Sequence, residues 1–296
     1  MGRPDLLAID LDGTLLSADG TVSCANIEAI QRATSEGLPC VIATGRTASE
    51  CGEILDAIAY DGPLIAASGA LLLDVTAGQT LDRHVIPSSH AAVIVTSVLR
   101  RGAVPMMLKD RAQTGGIDYV VVGSQPMHPV SDWWFEATSA TWIRIDCIED
   151  DPFPDDTVRI GAAGTPEECE PMVSDVQQSL GPAVHARHWE AVTSSAKAGS
   201  LVHLLEVFHP DSDKWTMLEK LCKMQGLDSG RTAAVGDGVN DIVLVDRCGL
   251  GVAVENADYR VLAVSDATTG SHHDDGVADL IHDLLDGRLL LGGTRL

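Results

Sequence analysis

The stretch LLAIDLDGT (residues 6–14) decides the fold, because a short apolar run ends directly in an acidic turn. Apolar runs of this length, bounded by a turn, are typical of buried strands in parallel sheets. Two similar runs follow, LPCVIAT (38–44) and LIAA (64–67), and amphipathic helical patterns separate them at 25–36 and 47–59. This alternation of strands and helices predicts right-handed crossovers and an α/β parallel sheet.

The middle of the chain has a different pattern. Helices are expected at 88–101 and 166–180, among strand-like runs such as TWIRIDCI (141–148), whose apolar residues alternate. Such half-buried strands predict an antiparallel sheet with helices on one face. The alternation of the first third resumes with a helix at 213–225 and a strand at 232–236. We therefore expect an α/β fold with a Rossmann-like, doubly wound core (1–83 and 209–296) and an inserted α+β cap (84–208).

Composition excludes several classes of function. Asp and Glu total 43 against 20 Lys and Arg, a net charge of −23, which disfavours nucleic acid and anionic membranes as partners. No apolar stretch reaches the length of a membrane span, and no secretory signal is visible. The seven cysteines include no C-x-x-C pair, which favours reduced thiols. These features predict a cytoplasmic protein.

Two acidic turns point to metal chemistry. Asp10 and Asp12 follow the first strand, and Asp237 and Asp241 follow a later one. Ligand sites of open α/β sheets lie beyond the carboxyl ends of the strands, so both turns should converge on one crevice. Clustered carboxylates need a hard cation, and Mg²⁺ prefers oxygen ligands while leaving room for a substrate phosphate.

Two further segments fit a phosphate site. Thr44-Gly45-Arg46 lies between a strand and a helix, where a hydroxyl and backbone N–H groups can bind an anion. Lys214, at the start of a helix, can add a positive charge. Each segment alone is weak evidence, since an isolated D-x-D is usually a solvated turn and an isolated lysine is usually on the surface. Their order along the chain, each at a strand or helix end, is what favours a functional reading.

The motifs together resemble the haloacid dehalogenase superfamily of aspartyl-phosphate phosphohydrolases, and most closely its Cof-type branch (subfamily IIB), which has an α+β cap after the third strand. The family often has SNGA where this chain has ASGA, so Ser68 takes the place of an asparagine. The resemblance covers most of the core and rests on DLDGT (10–14), TGR (44–46), ASGA (67–70), DK (213–214), GDGVND (236–241), GVAVENA (251–257) and DGVA (275–278).

The resemblance implies a role for each matching residue. Asp10 would be the nucleophile that accepts the phosphoryl group, and Asp12 the general acid and base. Mg²⁺ would be held by the Asp10 side chain, the Asp12 backbone carbonyl and Asp237, and Asp241 would support this metal site. The residues implied in phosphate binding are Leu11, Thr44, Gly45, Lys214 and Asn240.

The implied function is a Mg²⁺-dependent phosphatase of small phosphorylated metabolites, with sugar phosphates as the expected class. A phosphosugar mutase of the same superfamily is one alternative, and a non-catalytic metabolite-binding protein on the same scaffold is another. A dehalogenase fits less well because Asp12 is present. The expected partners are small-molecule phosphorylated substrates, with no nucleic acid and no membrane, and the protein would be a monomer or a small homo-oligomer.

Outside the resemblance, the sequence offers weaker candidates. His272-His273 followed by Asp274-Asp275 could bind a metal, but an exposed loop before the last helix is the favoured interpretation. An aromatic-rich segment at 133–142 is expected to pack in the cap rather than to bind substrate. Basic cap residues are candidates for contacting the rest of the substrate: Lys109, Arg111, Arg144, Arg159, Arg187 and His188.

Overall fold

The chain divides into two compact units in a computed structural model that describes residues 2–190 and 202–295. The first unit combines Met1–Asp82 with Asp213–Leu296, and the second is the continuous segment Arg83–Ser212. The assignment of 1–83 and 209–296 to a core and of 84–208 to a cap stays a prediction. Residues 191–201 of the predicted cap lie outside the described residues. No described helix combines the length and apolarity needed to cross a membrane.

The strands are numbered along the chain: β1 (Leu6–Ile9), β2 (Cys40–Ala43), β3 (Pro63–Ala66), β4 (Leu71–Asp74), β5 (Gln79–Arg83), β6 (Met106–Lys109), β7 (Tyr119–Val122), β8 (Trp142–Ile145), β9 (Thr157–Gly164), β10 (His185–Glu190), β11 (His203–Phe208), β12 (Thr232–Gly236), β13 (Leu250–Val254), β14 (Ala267–Thr269), β15 (Leu289–Leu290) and β16 (Thr294–Arg295). The helices are α1 (Cys24–Ser35), α2 (Ala48–Ala57), α3 (Ser88–Arg100), α4 (Pro129–Ala137), α5 (Pro166–Leu180), α6 (Lys214–Gln225), α7 (Ile242–Arg247), α8 (Tyr259–Val264) and α9 (Gly276–Leu285).

The sheet of the first unit has the order β14-β13-β12-β1-β2-β3-β4-β5. Neighbours are parallel from β14 to β3, and β4 runs antiparallel to β3. In the centre, Ile9 pairs with both Val235 and Ile42. Every residue of β1 is buried, as expected for a strand between two covered faces. The predicted α/β parallel-sheet fold is therefore confirmed.

Local sequence explains where the helices next to the site begin and end. The Thr47 side chain accepts a hydrogen bond from the Glu50 N–H, and the Glu50 side chain bonds back to the Thr47 N–H, which forms a capping box at the start of α2. Asp213 caps α6 by accepting from Thr216, and the left-handed Gly226 ends it. The capping residues thus fix Lys214 as the first residue of α6.

The second unit contains a six-stranded sheet of order β10-β11-β9-β6-β7-β8. The prediction of an antiparallel sheet holds for most neighbours but is wrong for β7 and β8, which run parallel. The physical reason is α4, which the sequence analysis did not predict and which connects these two strands as a crossover. Buried apolar residues of α3 and α5 form one core with the sheet, and Ile143 and Ile145 pack against this core as the alternation predicts.

Candidate active site

The turn after β1 carries the first acidic pair. Asp10 is almost fully buried, and the chain then turns through Leu11–Leu15, where Asp12 and Gly13 have non-helical backbone angles. Gly13 has a φ of +76°, and a Cβ at that position would lie 2.3 Å from Asp237 Oδ2. Only glycine therefore fits, since any other residue would be strained and would displace Asp237.

Lys214 connects the two acidic turns. Its Nζ lies 2.6 Å from Asp10 Oδ1 and 2.6 Å from Asp241 Oδ1, and its side chain is fully buried. The start of α6 lies very close to the turn after β3. A Cβ built on Gly69 would lie 2.1 Å from the Asp213 carbonyl oxygen, so this approach requires glycine. One ammonium group is thus fixed between two carboxylates that lie far apart in sequence.

The turn after β12 is organised by Asp241. Its Oδ2 accepts hydrogen bonds from the Asp237 N–H at 3.2 Å and the Gly238 N–H at 3.0 Å. Asp237 Oδ1 in turn accepts a hydrogen bond from Thr14 Oγ1 at 3.2 Å. Asp241 therefore orders the turn that presents Asp237, and Thr14 connects this turn to the one that follows β1.

The electrostatics of the cluster show an excess of negative charge. Burial, and then the neighbouring Asp241 carboxylate, raise the pKa of Asp10 well above its usual range, although Lys214 opposes this shift. Burial and Asp241 also raise the pKa of Asp237 to about 6. Burial alone would lower the pKa of Lys214, but Asp10 and Asp241 outweigh it and hold this pKa above its ordinary value. One lysine therefore does not neutralise three buried or half-buried carboxylates.

This arrangement fits a hard cation. Asp10, Asp237 and Asp241 each offer a carboxylate oxygen, and these oxygens lie within 4.8 Å of one another. Carboxylate oxygens are ligands that Mg²⁺ prefers, and a divalent ion would offset the excess negative charge. The part of the chain that the structure describes contains no other such group of three or more His, Cys, Asp or Glu side chains.

Asp12 has a partner that the sequence analysis did not assign. Its Oδ2 accepts from Arg46 Nε at 2.9 Å and its Oδ1 from Arg46 Nη2 at 2.5 Å, a bidentate pair. Burial opposes the charge of Arg46, yet the pairing with Asp12 keeps the pKa of Arg46 above its ordinary value. Arg46 belongs to the TGR motif, but no pattern in the sequence predicts that it pairs with Asp12. The contact joins two turns that follow different strands and lie far apart in the chain.

The predicted phosphate-binding residues lie on the same turns. Thr44 is fully buried, and its Oγ1 accepts a hydrogen bond from the Arg46 N–H at 3.1 Å. A Cβ built on Gly45 would lie 3.8 Å from Asn240 Nδ2, so the turns after β2 and β12 are neighbours. The Leu11 side chain is buried, which leaves only its backbone for the predicted role.

The weaker candidates are placed elsewhere. The backbone N–H of His272 donates to Asn256 Oδ1, and the ring Nδ1 of His272 lies 2.8 Å from the Leu16 carbonyl oxygen, so this histidine connects loops. Among the basic residues of the second unit, Lys109 is bonded to Asp151, and Arg159 to Glu206, in buried ion pairs. These two cations are therefore engaged within their own unit.

Comparison with known proteins gives the family. A model of the haloacid dehalogenase-like hydrolases matches residues 7–281. The chain is 27% identical over 291 residues to the 5-amino-6-(5-phospho-D-ribitylamino)uracil phosphatase YwtE of Bacillus subtilis, with 95% of this chain and 98% of the relative covered. It is 26% identical over 283 residues to the pyridoxal phosphate phosphatase YbhA of Escherichia coli, with 95% and 98% covered.

A solved structure gives the same result for the fold. A haloacid dehalogenase-like hydrolase from Bacteroides thetaiotaomicron superposes with a TM-score of 0.78 at 20% identity, covering 95% of this chain and all of that one. The resemblance inferred from the motifs is confirmed. The chain belongs to the haloacid dehalogenase-like hydrolases, in the branch of Cof-type phosphatases that act as phosphoric monoester hydrolases.

Proposed function

We propose that this protein is a Mg²⁺-dependent phosphatase of small phosphorylated metabolites, with sugar phosphates as the preferred class, and that it acts through an aspartyl phosphate on Asp10. The observation that carries the proposal is the position of Lys214 Nζ, 2.6 Å from both Asp10 and Asp241. A buried ammonium beside a buried carboxylate holds that carboxylate in place and adds positive charge where a phosphoryl group would arrive.

The chain's own residues account for both halves of the reaction. Asp10 attacks phosphorus and the bond to the leaving oxygen breaks, while Asp12 donates a proton to that oxygen. Asp12 then accepts a proton from the water that attacks the aspartyl phosphate, which releases inorganic phosphate and restores Asp10. Arg46 holds the Asp12 carboxylate by two hydrogen bonds, so its position is set before substrate arrives.

The remaining site residues bind rather than react. Thr44, Gly45, Asn240, Lys214 and the Leu11 backbone would hold the phosphoryl oxygens. Mg²⁺, held by Asp10, Asp237 and the Asp12 backbone carbonyl with support from Asp241, would supply charge neutralisation when bound. The raised pKa values of Asp10 and Asp237 support this assignment, because burial first and the Asp241 carboxylate second disfavour their charged forms, and a bound cation would favour those forms.

The substrate class rests on relatives and on charge. The names of two relatives specify a phosphorylated ribitylamino compound and pyridoxal phosphate, which are both small. A net charge of −23 repels polyanions at long range. We assign the core role to 1–83 and 209–296 and the substrate-selecting cap role to 84–208, in a cytoplasmic monomer or small homo-oligomer.

A phosphate-release screen over phosphorylated metabolites tests the proposal. Wild-type protein with Mg²⁺ should release inorganic phosphate, whereas Asp10→Asn should not, because an amide cannot accept the phosphoryl group. Asp56→Asn makes the same chemical change on the exposed face of α2 and should leave turnover unchanged. An isomeric sugar phosphate in place of free phosphate would identify a mutase instead.

Rapid quench and mass spectrometry test the intermediate. Asp12→Asn lacks the base for the second half-reaction, so it should turn over about 10²–10⁴-fold more slowly and accumulate phosphate on Asp10. Phosphate on a serine or cysteine would overturn the assignment of the nucleophile. Full turnover after exhaustive chelation would overturn the assignment of the metal.

A further inference from the structure

The turn after β3 contains a residue in an unusual conformation. Ser68 has a φ of +55°, in the left-handed region that disfavours residues with a Cβ. The turn is nevertheless fixed, because the Ser68 N–H donates to the Thr44 carbonyl at 2.9 Å and the Ala67 N–H donates to the Arg46 carbonyl at 2.8 Å. These two bonds tie Ser68 to the turn that carries Thr44 and Gly45.

The Ser68 side chain is buried without a partner. The residue is 3% exposed, and its Oγ makes no hydrogen bond within the described residues. Burying a hydroxyl without a hydrogen bond costs free energy, and such groups are uncommon in folded proteins. The fold gains nothing from this hydroxyl that an alanine would not supply, so its presence needs another explanation.

The surroundings of the hydroxyl supply that explanation. A Cβ built on Gly45 would lie 3.4 Å from Ser68 Oγ and 3.8 Å from Asn240 Nδ2, so both polar groups flank the same backbone. The next residue, Gly69, lies against the start of α6, since a Cβ built on it would lie 2.6 Å from the backbone nitrogen of Lys214. Ser68 thus lies next to Gly45, near the turn that carries Asn240, and its neighbour Gly69 lies against the start of α6.

We propose that Ser68 is a substrate-binding residue whose hydroxyl donates a hydrogen bond to a phosphoryl oxygen, next to Gly45 and Asn240. The inference rests on the proposed function, since it assumes that a phosphoryl group occupies this site. A serine hydroxyl is a donor suited to an anionic oxygen, and hydrogen bonds to charged groups are stronger than neutral ones.

Two variants remove the hydroxyl in different ways. Ser68→Ala deletes only Oγ, and Ser68→Gly also relieves the left-handed backbone, so at least one of them should fold as well as wild type. The control is Ser97→Ala, which removes a buried hydroxyl bonded to Val93 in α3, within the second unit. The probe is inorganic phosphate, measured as a competitive inhibitor of p-nitrophenyl phosphate hydrolysis with Mg²⁺.

Both Ser68 variants should raise the inhibition constant of phosphate and the KM by about tenfold or more, with unfolding midpoints no lower than wild type. Ser97→Ala should leave both constants unchanged. Unchanged constants in Ser68→Ala and Ser68→Gly, with wild-type turnover intact, would overturn the role of Ser68 and leave the proposed function standing. A loss of stability and kcat without a change in phosphate binding would make Ser68 a structural residue. A wild-type protein that neither binds phosphate nor releases it would overturn both proposals.

Discussion

Each of the two units contains a lysine whose side chain is fully buried, and the two differ in their charge environment. Lys214 in the first unit has a pKa above its ordinary value, because two carboxylates outweigh the effect of burial. Lys109 in the second unit has a pKa below its ordinary value, because burial outweighs the hydrogen bond and attraction of Asp151 and the weaker attraction of Asp156. Two lysine side chains that are equally inaccessible to water thus have pKa values shifted in opposite directions.

The partners of Lys109 explain its structural role. Its Nζ donates to Asp151 Oδ2 at 2.5 Å, to the Phe153 carbonyl at 3.0 Å and to Thr157 Oγ1 at 2.7 Å. One positive charge meets one negative charge, and the other two acceptors are neutral. This is a balanced buried pair that holds the segment before β9 against β6.

The cluster around Lys214 is not balanced, since three carboxylates, those of Asp10, Asp237 and Asp241, surround one ammonium group. A fold has no structural reason to bury surplus charge of one sign, because burial of unpaired charge is costly. A buried charge alone therefore does not mark a functional site. A surplus of one sign of charge around the buried group does mark such a site, because a ligand of the opposite sign would offset that surplus.

The largest effect is expected from the same substitution at both lysines. Lys214→Met should lower kcat/KM by about 10³-fold or more, because it removes the positive charge beside the proposed position of the phosphoryl group. Lys109→Met, assayed at a temperature at which circular dichroism shows it to be folded, should keep kcat/KM within about twofold of wild type. Equal losses of activity in the two variants would remove the distinction between the clusters.

Substitution of Lys109 should lower the free energy of unfolding. Lys109→Met leaves Asp151 buried without its cation, so denaturant titration should give a free energy of unfolding about 3–5 kcal/mol lower than wild type. The double variant Lys109→Met with Asp151→Leu replaces the pair by apolar side chains and should recover most of this loss. If the double variant is less stable than the single one, the pair is not a balanced structural unit.

Gly13 in the first unit and Gly102 in the second have similar backbone angles but different surroundings, so they test how much space each region leaves for a side chain. Gly13→Ala would place a Cβ 2.3 Å from Asp237 Oδ2, and moving this carboxylate of the proposed metal site should lower kcat/KM by about 10²-fold. Gly102→Ala has a similar φ of +79° but meets no atom within 4 Å. It should cost about 1 kcal/mol of stability and no activity. Comparable activity in both alanine variants would show that Asp237 can move without loss.

The smallest effect is expected at two exposed thiols, Cys24 in the first unit and Cys147 in the second. The contact of Cys147 with Asp150 raises the pKa of this thiol to about 11, which suppresses the reactive thiolate at pH 8. Asp150→Asn lowers that pKa, so alkylation of Cys147 at pH 8 should become roughly two- to tenfold faster while that of Cys24 stays constant. Mass spectrometry of the labelled protein measures both rates, and an unchanged rate at Cys147 would contradict the assigned cause.

The sequence predicted the parts of the molecule that depend on short, strongly patterned segments. The strands at 6–9 and 232–236 are apolar runs that end in acidic turns, so both the parallel sheet and the convergence of Asp10 on Asp237 could be inferred. The apolar periodicity of residues 276–285 also predicts a final helix, and α9 has these limits because its apolar face is pronounced.

Other features depend on contacts that no local pattern encodes. The pair of Asp12 with Arg46 and the environment of Ser68 arise where turns after different strands meet. The edge strand β14 is short and partly exposed, so it lacks the apolar run that identifies its neighbours. α4 was missed because its aromatic residues were interpreted only as packing, which concealed the parallel crossover to β8.

The pairing of β1 with β12 determines the order in which the two units can be completed during synthesis. Asp5 and Arg231, which form an ion pair beside these strands, are 226 positions apart in the chain. The segment Arg83–Ser212 emerges from the ribosome as one continuous unit, whereas β1 has to wait for β12, and distant pairings form slowly. The second unit can therefore complete its fold before the first. Until the last third of the chain has been made, the edge of β1 that pairs with β12 stays unpaired, and unpaired strand edges promote aggregation.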